Sequence, residues 1–355
     1  MMSISVVDRR IISGSPPENV YLADIINRIL ASQASVGVVF CRKACSAVIA
    51  LLACFIGIEG IKMTRPFKTI GLIAKNTDPK VASILATLCD YFTQSGITLL
   101  AEPNTKALLQ DNCDAKEWSN FSQQCDLAVV IGGDGTLLGA ARALSNTNTP
   151  LLGVHMGRLG FLADITTDVM IERLDEVLAG HYILDERVLL KSTVMRDNRA
   201  VHQIHALNDI VVHKWASSRM VELETFIDGA FVSTERSDGL IISTPTGSTA
   251  YALSGGGPIV HPSLNAVTLV PICPHTLSHR PIVVSGDSRI EVIITDTNLN
   301  AVRVSCDGQS VFEVSNGDKI IIEKSEQRTR LIHPEQHDHF HTLREKLGWG
   351  TTPYR

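Results

Sequence analysis

The residues best equipped for chemistry are Gly132-Gly133-Asp134-Gly135-Thr136, where three glycines and a threonine surround one carboxylate. They end an apolar run, Leu127 to Ile131, which reads as a strand buried on both faces. Glycines directly after a strand let the backbone turn sharply and approach a ligand, and the apolar residues from Leu137 to Leu144 read as a helix opening onto that ligand. Strand, glycine turn and helix form a phosphate-binding arrangement, with Gly132, Gly133, Gly135 and Thr136 as its loop. Asp134 sets it apart. A carboxylate among phosphate-facing amides repels phosphate, so its use there is to handle a proton or a metal. The plainer reading of the same residues is an Asp-Gly turn.

A second chemical stretch runs from Arg236 to Tyr251 and is too polar after Ile242 to be another core strand. Thr244, Thr246, Ser248 and Thr249 beside Gly247 offer donors and backbone amides, and Tyr251 offers a ring on which a planar base could stack. That composition reads as a nucleotide site; the alternative is a Ser/Thr-rich loop continuing through Ser254-Gly255-Gly256-Gly257-Pro258. Asn208-Asp209 sits between Ala206-Leu207 and Ile210-Val211-Val212, where burial of an unpaired amide and carboxylate costs several kcal/mol. The pair is either hydrogen-bonded for structure or a site for ribose hydroxyls. Arg219 and Arg236 are candidates for phosphate or carboxylate contacts, against the reading of solvated strand arginines. Asp307-Gly308-Gln309 reads as a hairpin turn. His275 and His333 have no partner spacing that argues for a metal, and no metal ligand is assigned.

The elements that must position these residues follow from periodicity. Ile70 to Ala74 is extended, Val81, Ile84, Leu85, Leu88 and Phe92 share a helical face closed by Gly96, and Ile97 to Leu100 is a second strand. A polar connection runs to Gln124. Leu151 to His155 is a further strand, and Ile171, Leu174, Val177 and Leu178 mark a helix. Alternating strands and helices imply a parallel sheet with helices on its faces. From Tyr182 onward short strands take over, punctuated by the hairpin dipeptides Asp228-Gly229, Asp307-Gly308 and Asn316-Gly317. The expected architecture is an α/β, Rossmann-like N-terminal domain (63–183), an all-β, sandwich-like domain (184–332) and a C-terminal segment (333–355) that either docks or is disordered.

Bulk properties exclude several classes. A chain of 355 residues suits about two domains, and a net charge of −5 argues against a nucleic-acid partner. Eight cysteines (positions 41, 45, 54, 89, 113, 125, 273 and 306) show neither CxxC nor zinc-site spacing, which suggests a reduced, cytoplasmic protein. Residues 1–62 differ from the rest. Their apolar run, Ala44 to Ile58, is shorter than the ~20 residues of a membrane span, and it lies too far in for a signal peptide. No membrane partner is expected, and Met63 reads as the natural start after a dispensable extension.

These motifs together closely resemble the NAD kinases, in particular the bacterial type, from about Lys68 to about Gly348. The Gly-Gly-Asp-Gly-Thr motif alone is shared with phosphofructokinases and with diacylglycerol- or sphingosine-type lipid kinases; the block Ser237 to Pro258, followed by Pro271 to Pro281, is specific. The family commonly has Asn-Glu where this chain has Asn208-Asp209, one methylene shorter. The resemblance implies phosphoryl transfer from ATP to the 2′-hydroxyl of the adenosine ribose of NAD, with Asp134 as proton acceptor and a divalent cation such as Mg²⁺ on the triphosphate. It puts Asp134 and Gly135 at the nucleotide and Asn208 and Asp209 on NAD ribose and nicotinamide groups. Thr249, Ala250, Tyr251, Ala252, Leu253 and Ser254 fall around the adenine end, and Arg219, Arg236, Asp238 and Gln309 on remaining contacts. It also implies a homo-oligomer, dimer or tetramer, whose NAD site borrows residues from a neighbour. A lipid or sugar kinase would lack the Thr/Ser/Tyr block, and a non-catalytic nucleotide module would not need Asp134.

Overall fold

The computed structural model describes residues 67–75, 80–109, 115–117, 125–157, 160–215, 219–295 and 302–349. The expectations about residues 1–62, the start at Met63 and the apolar run from Ala44 lie outside them. In the first half, strands β1 (Thr69–Ala74), β2 (Thr98–Ala101), β3 (Lys116–Glu117), β4 (Leu127–Gly132) and β5 (Leu151–His155) pair in parallel in the order β3-β2-β1-β4-β5. The short β6 (Ile165–Thr166) adds to β5. Helices α1 (Lys80–Gln94), α2 (Pro103–Leu109), α3 (Asp134–Ala143) and α4 (Met170–Leu178) complete this half.

The continuous apolar run of β4 is explained by helices on both faces. Leu127, Val129 and Ile131 join the cluster of α1 and α4, whereas Ala128 and Val130 point the other way, into the cluster of Leu137 and Leu138 from α3. The polar connection expected up to Gln124 proves partly ordered, since it contains α2 and β3.

The second half comprises β7 (Ile183–Arg196), β8 (Arg199–Ala206), β9 (Asp209–Lys214), β10 (Val221–Ile227), β11 (Ala230–Ser237), β12 (Gly239–Ser243), β13 (Ala266–Ile272), β14 (Ile282–Ser285), β15 (Ile290–Ile294), β16 (Val302–Cys306), β17 (Ser310–Val314) and β18 (Lys319–His333). One sheet runs β14-β13-β12-β9-β16-β17. Its inner residues, among them Ile210, Val212, Leu240 and Ile242, pack against Leu223, Val292 and Ile320 of the other sheet, which gives the expected sandwich. Asp228-Gly229 and Asp307-Gly308 turn with positive φ at both residues, as two-residue hairpins require. Asp197-Asn198, between β7 and β8, does the same without a glycine.

Strand β18 belongs to both halves. It pairs antiparallel with β15 and β7, and its end pairs in parallel with β5 at Leu331↔Leu151. The two halves thereby share one continuous sheet. α5 (Tyr251–Ser254) is a single turn at the site, and the described part of the tail, to residue 349, contains the full helix α6 (His339–Leu347), started by Asp338 accepting from the Phe340 amide at 2.9 Å and closed by Gly348 with φ +68. Among the described residues, no helix is long and apolar enough to cross a membrane. Cys125, Cys273 and Cys306 are free, but Cys89 is disulfide-bonded, so the expectation of fully reduced thiols fails at that position.

Gly153 in mid-β5 is where α3 and the chain after β5 come closest: a Cβ there would stand 2.7 Å from Ala163 Cβ and 2.8 Å from Leu137 Cδ1. Gly153→Val is expected to destabilise the protein by about 1–3 kcal/mol through overpacking. A denaturant melt checks it; an unchanged midpoint would mean the contact can relax.

Candidate functional site

Strand β4 delivers the glycine turn and α3 begins at Asp134, with Gly133 as an extended N-cap that supplies no side-chain cap. The carboxylate does not face the loop amides. Its Oδ2 accepts from the Phe161 amide at 2.9 Å and its Oδ1 from the Leu162 amide at 3.2 Å. Gly160 makes this possible, because a Cβ there would overlap the Asp134 carboxylate. A Cβ at Gly132 would likewise collide with Thr136, while Gly133 and Gly135 are exposed. His155, at the end of β5, completes the surroundings: its Nδ1 accepts from the Gly157 amide at 2.9 Å, and burial lowers its pKa against the opposing pull of Asp134.

Beside the turn lies a cleft of about 310 Å³ lined by Asn208, Asp209, His213, Ala250, Tyr251 and Asp307, among others. Asp307 organises its floor. Its carboxylate accepts three consecutive amides, Leu207 at 3.1 Å, Asn208 at 2.7 Å and Asp209 at 3.3 Å, and the Asp307 amide returns to the Asp209 carbonyl at 3.0 Å. Arg142, on the last turn of α3, reaches Asp307 at 3.5 Å and Gln309 at 2.8 Å, and Gln309 donates to the Gly135 carbonyl at 2.6 Å. The glycine turn and the cleft are thus tied together at both ends of α3. Asp209 has no such donors on its carboxylate among the described residues. Burial, and then the neighbouring Asp307 charge, push it up to about 7, while burial also raises Asp307 against its amides and Arg142.

The hydroxyl block is built differently from the sequence reading. Thr244 donates to the Leu207 carbonyl at 2.6 Å, Ser248 donates to the Pro245 carbonyl at 2.6 Å, and Thr249 donates to the Thr246 carbonyl at 3.3 Å. These hydroxyls fold the turn rather than point into the cleft, because a buried glycine-rich turn must satisfy its own backbone. Gly247 is packed against the Asn208 backbone, where any Cβ would overlap it. What reaches the cleft is Ala250 and the half-exposed Tyr251. Ala252 is fully buried with Val211, Ile241 and Val270, Leu253 is half-buried, and Ser254 is exposed.

Asp238 pairs with Lys214 at 2.6 Å, and Arg219 and Arg236 are exposed; none of the three lines the cleft. Sequence reasoning missed Arg142 and the part played by Asp307, as well as the Phe161 and Leu162 amides. Only Arg142 left a trace, as a cation at the end of the helix that follows the glycine turn.

Residues 70–182 match the ATP-NAD kinase N-terminal domain, and residues 207–334 match the ATP-NAD kinase C-terminal domain. The chain belongs to the NAD kinase family. It is 47% identical to the NAD kinase of Nitrosococcus oceani over 81% of this chain and 99% of that one, and 48% identical to the NAD kinase of Chromohalobacter salexigens over 81% and 98%. Among solved structures it is similar to yeast NADH kinase complexed with NADH, with a TM-score of 0.75 at 27% identity over 81% of this chain and 90% of that one. An NAD kinase from Archaeoglobus fulgidus in complex with ATP gives 0.61 at 26% identity over 78% and 99%. As a member of the NAD kinase family the chain is a kinase acting on NAD.

Asp209 supplies a test of the cleft electrostatics. An acid held above its ordinary value near 3.8 keeps its proton more tightly folded than unfolded, so stability is lost as pH rises from about 4 through about 7. The effect is at most ~4 kcal/mol. Asp209→Asn is expected to remove it, so the difference in melting temperature, variant minus wild type, should grow in the variant's favour across that window. Parallel pH profiles would contradict a buried, proton-retaining Asp209.

Proposed function

We propose that this enzyme phosphorylates NAD at the 2′-hydroxyl of the adenosine ribose, with ATP as donor and Asp134 as proton acceptor. The observation that supports the reading is the coupling of the glycine turn, which carries one half-buried carboxylate, to the cleft through Gln309–Gly135 and Arg142–Asp307. The glycine amides and the N-terminus of α3 favour the triphosphate. Asn208 and Asp209 take ribose and nicotinamide groups, Tyr251 offers its ring to the base, and Thr249, Ala250 and Ser254 border the adenine end. Phosphoryl transfer then needs mainly alignment, charge stabilisation and one proton acceptor.

Mg²⁺ or a similar cation enters on the triphosphate as part of the substrate. Asp134, the carboxylate of the turn, already has both oxygens bonded to amides, so the turn does not form a cation cage of its own. Residues 63–183 serve the donor and 184–332 serve NAD. A cytoplasmic homo-oligomer, dimer or tetramer, would cover exposed apolar residues on the edge strands, such as Phe231 of β11 and Val283 of β14.

The test is direct. Protein, Mg-ATP and NAD should yield NADP, and omission of any one should abolish it. Asp134→Asn is expected to abolish NADP formation while NAD affinity changes by less than about tenfold, since only the proton acceptor is lost. Turnover retained in the variant would reject the role of Asp134.

A further inference from the structure

A polar cluster lies behind the site, where the end of β18 meets the chain between β5 and β6. Asp164 Oδ2 stands 2.5 Å from His333 Nδ1 and 2.7 Å from His337 Nδ1, and the two imidazoles stack at 4.1 Å. His333 is almost fully buried, while Asp164 and His337 keep a small exposed fraction through which an ion could enter. On its far side, His333 Nε2 faces Asp185 Oδ2 at 3.6 Å; Asp185 pairs with Arg187 at 2.6 Å, and Arg187 donates to Thr246 at 3.1 Å. Two buried polar atoms of the cluster, Asp164 Oδ1 and His333 Nε2, have no hydrogen-bond partner among the described residues.

Those orphaned atoms are informative. A neutral His333 that donates from Nδ1 to Asp164 leaves an Nε2 lone pair facing the Asp185 carboxylate, acceptor against acceptor, whereas a doubly protonated ring, which the two carboxylates favour against the cost of burial, donates to both. With Nδ1 on a cation instead, Nε2 carries the proton and donates to Asp185, the carboxylate–histidine–metal relay that orients metal-bound imidazoles. Arg187 would then hold the second carboxylate in place. Two histidine nitrogens and one carboxylate oxygen suit a borderline divalent ion, with a fourth position left to water. Tetrahedral Zn²⁺ needs its ligand atoms roughly 3.3 Å apart, so entry requires the Asp164 oxygen to part from each imidazole nitrogen by under about 1 Å. Linear spacing showed only part of this site, the His333-x3-His337 interval that the sequence reading passed over, because Asp164 lies 169 residues from His333.

We propose that Asp164, His333 and His337 form a binding site for a Zn²⁺-class divalent cation, separate from the nucleotide cleft. The site would clamp the C-terminal segment onto the chain that holds Asp134, since Asp164 follows Leu162 by two residues. It does not depend on the reading given under the proposed function.

The full-length protein, stripped with chelator and free of nucleotide, is titrated with Co²⁺. Visible d–d bands should saturate at one equivalent, without a thiolate-to-cobalt band, and Zn²⁺ should displace them. His337→Ala and Asp164→Asn should lose the bands, and His181→Gln, whose exposed ring pairs with Glu335 in the same region, should keep them. Zn²⁺ should raise the melting temperature of the wild type and not that of His337→Ala. If Asp164→Asn fails to fold, the partly exposed His337 decides the matter alone. Absent bands, bands of thiolate character only, or bands that survive His337→Ala would overturn the proposal and leave the cluster held by shared protons.

Discussion

One buried carboxylate, Asp307, holds the arrangement together. It stands at the tip of the β16–β17 hairpin, yet it caps the three amides of residues 207–209 and pairs with Arg142 of the phosphate helix. A buried carboxylate without donors would be prohibitively unfavourable. Asp307 is tolerable because those amides converge on it, and the start of β9 is fixed in return. The position of Asn208 and Asp209 in the cleft is therefore a consequence of Asp307, as is the distance between the cleft and the glycine turn. Removing it would leave Arg142 without its carboxylate and three amides without an acceptor, in separate halves of the chain.

The sheet provides the frame for that tie. β18 carries the second half's sandwich at one end and the first half's parallel sheet at the other. Ile320 and Ile322 pack in the sandwich core and Ile332 in the helix-covered core. A hinge between the halves would break a continuous ladder as well as the ties at both ends of α3, so the two halves are held at a set spacing. Positioning in phosphoryl transfer benefits from such rigidity, because misplacing the reacting groups by about 1 Å can cost on the order of a hundredfold in rate.

Much of this was legible from the chain. The glycine turn stood out because a both-faces-buried strand must stop before a phosphate loop, and Asp228-Gly229 and Asp307-Gly308 declared their hairpins through the φ > 0 that both residues adopt. Other features depend on partners far apart in sequence. Asp307 reads locally as a turn residue, and nothing near it announces amides a hundred positions earlier. Gly160 looks like any loop glycine until the Asp134 carboxylate occupies the space of its missing Cβ. β18 alternates like a sandwich strand and gives no hint that its last residues pair with β5. The Ser/Thr block was misleading in a different way: composition reveals available hydroxyls, and only the fold reveals that Thr244 and Ser248 are used on their own backbone.

The charges of the site become coherent once these partners are known. The cleft and turn together present three carboxylates, Asp134, Asp209 and Asp307, and Arg142 is engaged with Asp307. The arrangement is tolerable for three separate reasons. Asp134 is turned onto the Phe161 and Leu162 amides, away from the loop amides that favour phosphate. Asp307 is paired with Arg142 and covered by three amide donors. Asp209, with neither, is pushed up to about 7 by burial and by the neighbouring Asp307 charge. The backbone dipoles at the start of α3 add a positive end to the turn without placing a flexible cation there.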